Sequence, residues 1–287
     1  MTASIHTNLS ALVALRSLTH VQTDLLVTQK RISTGYNVAD AFDNGAIFAI
    51  AQSIRNQVAG VAAVNSELSG AQGLVSVANA ALGQASDLLT QVRDIATRLS
   101  DQSISSDTRA QLATEFTNLL STVNSNLGTA FYQGTNIIGT SGTVGVIQDV
   151  LANQLTFTGQ ISTVGTVVSN LSVAQATSVT SAGTFLLNTF LTELNLVATS
   201  LNVVGSFNKN LGFQIQYNVN VTAALTQGLG ALVDANLPAE SARLQAQQVR
   251  QQLSVLTLSI ANQGPSALLP LFADRMTAAP HQMSAFR

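Results

Sequence analysis

Cysteine is absent from this 287-residue chain, which excludes disulfides, thiolate zinc sites and thiol nucleophiles together. Charge is scarce as well: Asp, Glu, Lys and Arg make up 9% of residues, against about 25% in typical soluble domains. A formal net charge of −2 leaves no basic footprint, so nucleic acid is not an expected partner. Proline is missing from every position before Pro238, so no imino ring interrupts a helix over most of the chain. No apolar run reaches the roughly 18 residues that a membrane crossing needs, so no membrane insertion is expected. The N-terminus carries no conventional secretion signal: its apolar patch, Ala11 to Leu15, is short and stops at Arg16. The chain is therefore expected to remain cytoplasmic or to leave by a route that keeps its N-terminus.

Catalytic patterns are missing too. His6, His20 and His281 are far apart and none lies in an HExxH motif; no glycine-rich phosphate loop follows a strand, and GxSxG does not occur. The expectation is no catalytic residue, no metal, no cofactor and no enzyme activity. Asp40 and Asp43 lie at a spacing that two carboxylates could share, but in a turn before a helix they read as caps. Arg31, Arg55 and Arg93 read as rim contacts or inter-subunit pairs, not as an anion site.

What is present is periodicity. Ile47, Ile50, Ile54, Val58, Val61, Val64, Leu68, Ala71, Val75, Ala78, Leu82, Ala85, Leu89, Val92, Ala96 and Leu99 recur with a mean step of about 3.5 residues, the seam period of a left-handed coiled coil. A second series runs through Leu187, Phe190, Leu194, Val197, Leu201, Val204, Asn208, Leu211, Ile215, Asn218, Thr222, Leu225, Leu229 and Leu232. Its polar members, Asn208, Asn218 and Thr222, weaken a seam but can fix its register. With 46% hydrophobic residues and a mean hydropathy of +0.30, helices are expected to bury more than one face, partner subunits covering the remainder.

The chain divides into sections. A first helix, about Leu9 to Ile32, carries Leu18, Val21, Leu25 and Ile32 on one face with Thr28 in the gap. Gly35 to Gly45 reads as a connector. The long helix then runs to about Leu99, and Leu112, Phe116, Leu119, Val123 and Leu127 mark a shorter one that folds back. Between Gly128 and Gly183 the composition turns to Gly, Thr, Ser, Val and Asn, with Asp149 the one charged residue. Alternation in Gln154 to Thr158 and Ser162 to Val168 predicts short strands in a small β-rich module, the low charge leaving a disordered, modified loop as the other reading. Asn236, Leu237 and Pro238 open a last helix whose face is Ala242, Ala246, Val249, Leu253, Leu256 and Ile260, ending near Gly264 and Pro265. The fold class expected is mainly α, long antiparallel coiled-coil helices from both chain ends with a β-rich central insertion.

Several stretches carry a resemblance: RISTG (Arg31 to Gly35), the AD and DNGA stretch (Ala39 to Ala46), AIAQSIRNQ (Ala49 to Gln57) and SIANQGPSALLPLF (Ser259 to Phe272). These resemble bacterial flagellin over roughly 1 to 138 and 183 to 272, and ESARLQAQQVRQQL (Glu240 to Leu253) is similar to the short flagellins of alphaproteobacteria. The resemblance implies a structural subunit that self-assembles into the extracellular flagellar filament, the propeller for swimming. It implies an inner-tube helical domain (1–34 with 237–272), a connector (35–45), a helical rod (46–138 with 183–236) and a variable surface module (139–182). The faces Leu18, Val21, Leu25, Ile32 and Val249, Leu253, Leu256, Ile260 would then serve self-assembly. Implied partners are further copies of the chain, an export chaperone and the flagellar type III export apparatus, the filament cap and hook-associated proteins. Export by that route accounts for the missing signal peptide and suits the missing cysteines.

The chain departs from the family by continuing past Phe272 to Arg287, a C-terminal extension (273–287). Flagellins sensed by the vertebrate Toll-like flagellin receptor present an Arg where Gln91 stands here, while Ile95 and Glu115 match neighbouring contact positions; weak receptor activation is expected. Thr140, Ser141, Thr143, Thr163, Thr166 and Ser169 are candidate acceptors for O-linked sugars, whereas the sequons at Asn170 and Asn220 read as accidental. Two other readings are a hook-filament junction protein and a surface flagellin acting as adhesin or polysaccharide receptor; the lack of Trp in the middle argues against the second.

Overall fold

The computed structural model describes residues 7–138, 143–158, 182–183 and 190–266. Among these, the order is α1 (Leu9–Thr34), α2 (Ala41–Leu99), α3 (Ser106–Gly128), β1 (Thr143–Ile147), β2 (Gln154–Thr158), α4 (Leu191–Val233) and α5 (Leu237–Ser266). The fold is mainly helical, as the two periodic series predict. The expected strand at Ser162 to Val168, and Leu187, lie outside the described residues. The chain forms two compact units, one of residues 1–54 with 227–287 and the other of residues 55–226.

In the first unit, α1 and α5 pack along each other. Asn8 caps α1, its side chain accepting from the Ala11 amide at 3.0 Å. Gly35 ends the helix in the left-handed region at φ 75°, its N–H bonded to the Arg31 carbonyl. Asn236 caps α5 in the same way, accepting from the Ala239 amide at 3.2 Å. Pro238 sits in that first turn, where a missing N–H costs no intrahelical bond.

The expected connector, Gly35 to Gly45, is shorter than its turn residues suggest, because α2 already begins at Ala41. Asn44 (φ −162°, ψ 102°) interrupts that first turn and, by accepting from the Ile47 amide at 3.1 Å, caps the long helix anew. The connector itself is tied to the end of α4: Asn37 donates to the Val233 carbonyl at 2.7 Å, and Ala235 to the Gly35 carbonyl at 2.9 Å. Val38, Ala51 and Val233 form a small core there, with Ile47, Phe48 and Leu229 against it. Ile50, expected on the seam, is exposed, and Ala51, one residue on, takes the buried position in the small core with Val38 and Val233.

The second unit is built on the α2 seam. Every expected position from Val61 to Leu99 is buried, Leu68, Leu82, Ala85, Leu89, Val92, Ala96 and Leu99 completely. From Val64 onward they join Phe116, Leu120, Val123 and Leu127 of α3 and Phe190, Val197, Val204, Phe207 and Leu211 beside them in one continuous core. By length and composition alone α2 is long and apolar enough to cross a membrane, contrary to the expectation; the 18-residue apolar stretch that qualifies is 17% buried, while the seam from Val61 onward is buried in protein. Arg109 closes the turn between α2 and α3, donating to the Leu99 carbonyl and, at 2.8 Å, to that of Asp101. Buried Asn136 does the same for α3, donating to the Leu127 carbonyl at 2.8 Å.

The strands form an antiparallel hairpin pairing Thr143 with Thr158 and Ile147 with Gln154. Asp149 shapes its turn, one carboxylate oxygen accepting from the Leu151 and Asn153 amides at 2.9 and 3.0 Å. The Asn153 side-chain bond, then desolvation working against it, then these amides set its pKa, held below the usual carboxylate value. Asn208 is exposed rather than on the seam. Phe207 holds that position, its ring 5.0 Å from that of Phe157 on β2, so the hairpin draws the aromatic inward. Asn218 is buried as expected and, with Gln214, donates to the Gln148 carbonyl of the turn, at 3.4 and 3.1 Å.

Gly73 admits the loop after α3, since a Cβ there would stand 2.8 Å from the Tyr132 ring. A methyl against a packed ring costs about 1–3 kcal/mol, more than the ~1 kcal/mol that Ala gains over Gly in a helix. Gly73→Ala is therefore expected to lower the urea midpoint of the full chain. Gly83→Ala, whose Cβ would meet nothing within 4 Å, is expected to raise the midpoint through about 1 kcal/mol of added stability.

Candidate assembly surfaces

Two pairs of contacts fix α1 and α5 as antiparallel: the Asn8 amide donates to the Ala261 carbonyl at 2.7 Å, and Arg31 lies 3.4 Å from Glu240 at the other end. The seam between them is unequal in chemistry. From α1 it takes Ala11, Ala14, Leu18, Val21, Leu25, Thr28 and Ile32, all buried or half-buried. From α5 it takes Glu240, Leu244, Gln247, Gln251, Ser254, Leu258 and Ala261, a step of about 3.5 residues that is mostly polar.

The apolar stripe of α5 therefore points away from α1. Val249, Leu253, Leu256 and Ile260 are 55%, 56%, 59% and 68% exposed. The four expected assembly residues of α1 differ from them: Leu18, Val21, Leu25 and Ile32 are half-buried on the seam within the chain, while Leu9, Leu12, Val13, Leu15, Leu26 and Val27 are exposed. Sequence periodicity finds both stripes but does not say which is covered at home. The signal that separates them is the pair of polar fasteners, Asn8 and Arg31 with Glu240, which turn the polar face of α5 inward.

Glu240 is 5% exposed and accepts from Arg243 at 2.7 Å as well as from Arg31. Arg31 is thus engaged within the chain. Lys30, one residue earlier, reaches the connector, its ammonium 2.7 Å from Asp40 and 2.8 Å from Asp43. The two carboxylates cap one another's backbone: Asp40 accepts from the Phe42 and Asp43 amides, Asp43 from those of Ala39 and Asp40. They are the caps expected of them. Among the described residues no group of three or more His, Cys, Asp or Glu side chains could hold a metal ion.

Elsewhere, Gln91 and Glu115 are exposed on α2 and α3, but Ile95 is buried in the core and is not on the surface with them. Thr143 is exposed at the start of β1. Thr140, Ser141, Thr163, Thr166 and Ser169 lie outside the described residues, as do Asn170 and the extension 273–287. Asn220 is exposed on α4 and accepts from Gln216 at 3.3 Å.

The Lys30 hydrogen bonds hold the Asp40 and Asp43 carboxyls below their ordinary values, and the bond to Asp40 foremost holds the Lys30 ammonium above its own. For the carboxylates the stabilisation is complete above about pH 4 and is lost as pH falls through the depressed values; for the lysine it is complete below about pH 10 and lost as pH rises through the raised one. Lys30→Met is expected to move both carboxyl titrations up toward the ordinary range, read by carbon NMR of the side chains.

Residues 5–143 match the family model of the bacterial flagellin N-terminal helical region. The chain is 33% identical over 270 residues to flagellin FljO of Caulobacter vibrioides, an alignment covering 94% of this chain and 98% of the relative. It is 33% identical over 283 residues to a flagellin of Brucella melitensis, covering 94% and 99%. A structure described as a putative flagellar hook-associated protein from Vibrio parahaemolyticus superposes with a TM-score of 0.58 at 14% identity, over 67% of this chain and 100% of that one; the likeness is one of fold. With relatives matched almost end to end, the chain belongs to the flagellin family, the structural subunits of the flagellar filament.

Proposed function

We propose that copies of this chain polymerise through the exposed stripe of α5, with 1–34 and 237–272 forming an inner tube, 46–138 and 183–236 the rod around it, and 139–182 facing solvent. The observation that carries this is the inversion on α5: its polar face packs against α1 and its apolar face is left open. A heptad-spaced apolar stripe at such exposure calls for a covering surface. One stripe repeated in every copy, met by a different surface on the next, gives a heterologous contact that propagates instead of closing. The half-buried residues Leu18, Val21, Leu25 and Ile32 then contribute by holding α5 in place. The subunit travels unfolded through the type III export route with its chaperone, and meets the cap and hook-associated proteins outside the cell. The junction and adhesin readings are not favoured, since the relatives that span the chain are flagellins.

Leu253→Asp with Leu256→Asp places two charges on the stripe and none on the α1 seam. The double variant is expected to abolish seeded filament growth in electron micrographs while the second unit keeps its urea midpoint. Growth equal to that of the unaltered chain would remove α5 from the interface.

For the immune receptor, Gln91 offers no cation and Ile95 lies in the core, which supports weak activation. A receptor reporter cell is expected to respond less to this chain than to an enteric flagellin, and Gln91→Arg to raise the response. Thr143, exposed on β1, remains a candidate for O-linked sugar.

A further inference from the structure

Phe42 is 99% exposed, the most exposed of the large hydrophobic side chains described. It does not stand on a loose loop. Its own amide donates to Asp40 at 2.9 Å, the neighbouring Asp43 amide donates to the same oxygen, and Lys30 ties both carboxylates to α1. The ring is therefore presented by a backbone already fixed. Large aromatics so presented are the usual anchors of protein interfaces, because little ordering entropy opposes their burial.

The charge around it selects the partner. Two carboxylates against one ammonium leave the rim of Phe42 net negative. Beyond Glu240, the charged residues of α5 are Arg243 and Arg250 alone. Arg243 is occupied by Glu240, whereas Arg250, exposed, flanks the stripe of Val249 and Leu253. An apolar stripe with a cationic edge fits an apolar knob with an anionic edge.

We infer that Phe42 is an intermolecular anchor, its ring seated on the α5 stripe of a second copy of this chain, with Asp40 and Asp43 facing that copy's Arg250. The inference rests on the polymerisation proposed above and names one contact within it. Knob and stripe are different surfaces, so the contact is heterologous and compatible with an open polymer.

The test uses the full chain. Phe42→Ala is expected to raise the critical concentration for seeded growth about tenfold, with unchanged thermal unfolding of the monomer. Arg250→Glu is expected to raise it too. A photo-crosslinking phenylalanine analogue at position 42 is expected, in assembled filaments, to yield crosslinks to residues 249–260 of another copy. Filaments from the unaltered chain with an indifferent Phe42→Ala, or crosslinks mapping elsewhere, would overturn this contact and leave polymerisation standing. An unaltered chain that forms no filament from seeds removes both.

Discussion

The pairing of α1 with α5 through a seam that is apolar on α1 and mostly polar on α5 is the constraint on which the first unit depends. Glutamine, serine and glutamate make fewer net gains on burial than leucine does, because each polar atom exchanges a water partner for a protein one. Two of those atoms, Oε2 of Glu240 and Oε1 of Gln247, are buried without a hydrogen-bond partner. Such a pair specifies alignment better than it stabilises it. Its apolar counterpart lies on the outside of α5, where covering the half-exposed Val249, Leu253, Leu256 and Ile260 would contribute on the order of 1 kcal/mol each. A partner that covered the stripe would stabilise the folded pair by mass action.

The second unit uses the opposite solution. Its seam is apolar and closed within one chain, and its polar positions serve as keys. In the first unit, the ion pairs of Lys30 with Asp40 and Asp43 and of Glu240 with Arg31 and Arg243 gather where α1 meets the connector and α5. That is where a helix pair with a weak seam needs its alignment fixed.

Much of the fold was legible because helical periodicity survives in a single sequence. The α2 seam from Val61 to Leu99 is buried position for position, since nothing in that stretch interrupts the helix. Ile50 failed because Ala51 packs with Val38 and Val233, and Asn208 failed because Phe207 packs on Phe157 of the hairpin, long-range contacts that no local pattern contains. The caps Asp40 and Asp43 were legible from turn chemistry; their shared partner, Lys30, was not, being ten and thirteen residues away. The apolar stripe on α5 was visible as a stripe. That it faces outward follows only from the fasteners at Asn8 and Glu240, and that Ile95 is buried follows only from the α3 residues packed in the same core.

Asn218 shows what a polar seam position does when its partner is known. A buried amide in a coiled-coil seam ordinarily finds its mate on the facing helix. Here the mate is a backbone carbonyl of the hairpin, Gln148, which also accepts from Gln214. The opposite end of the hairpin is held by Phe157 against Phe207, about three helical turns away on α4. A strand pair of five residues each is too small to be stable in isolation. Fastened at both ends to one helix, it inherits that helix's stability, and the seam accepts a polar residue because the hairpin, not a second helix, completes its hydrogen bonds.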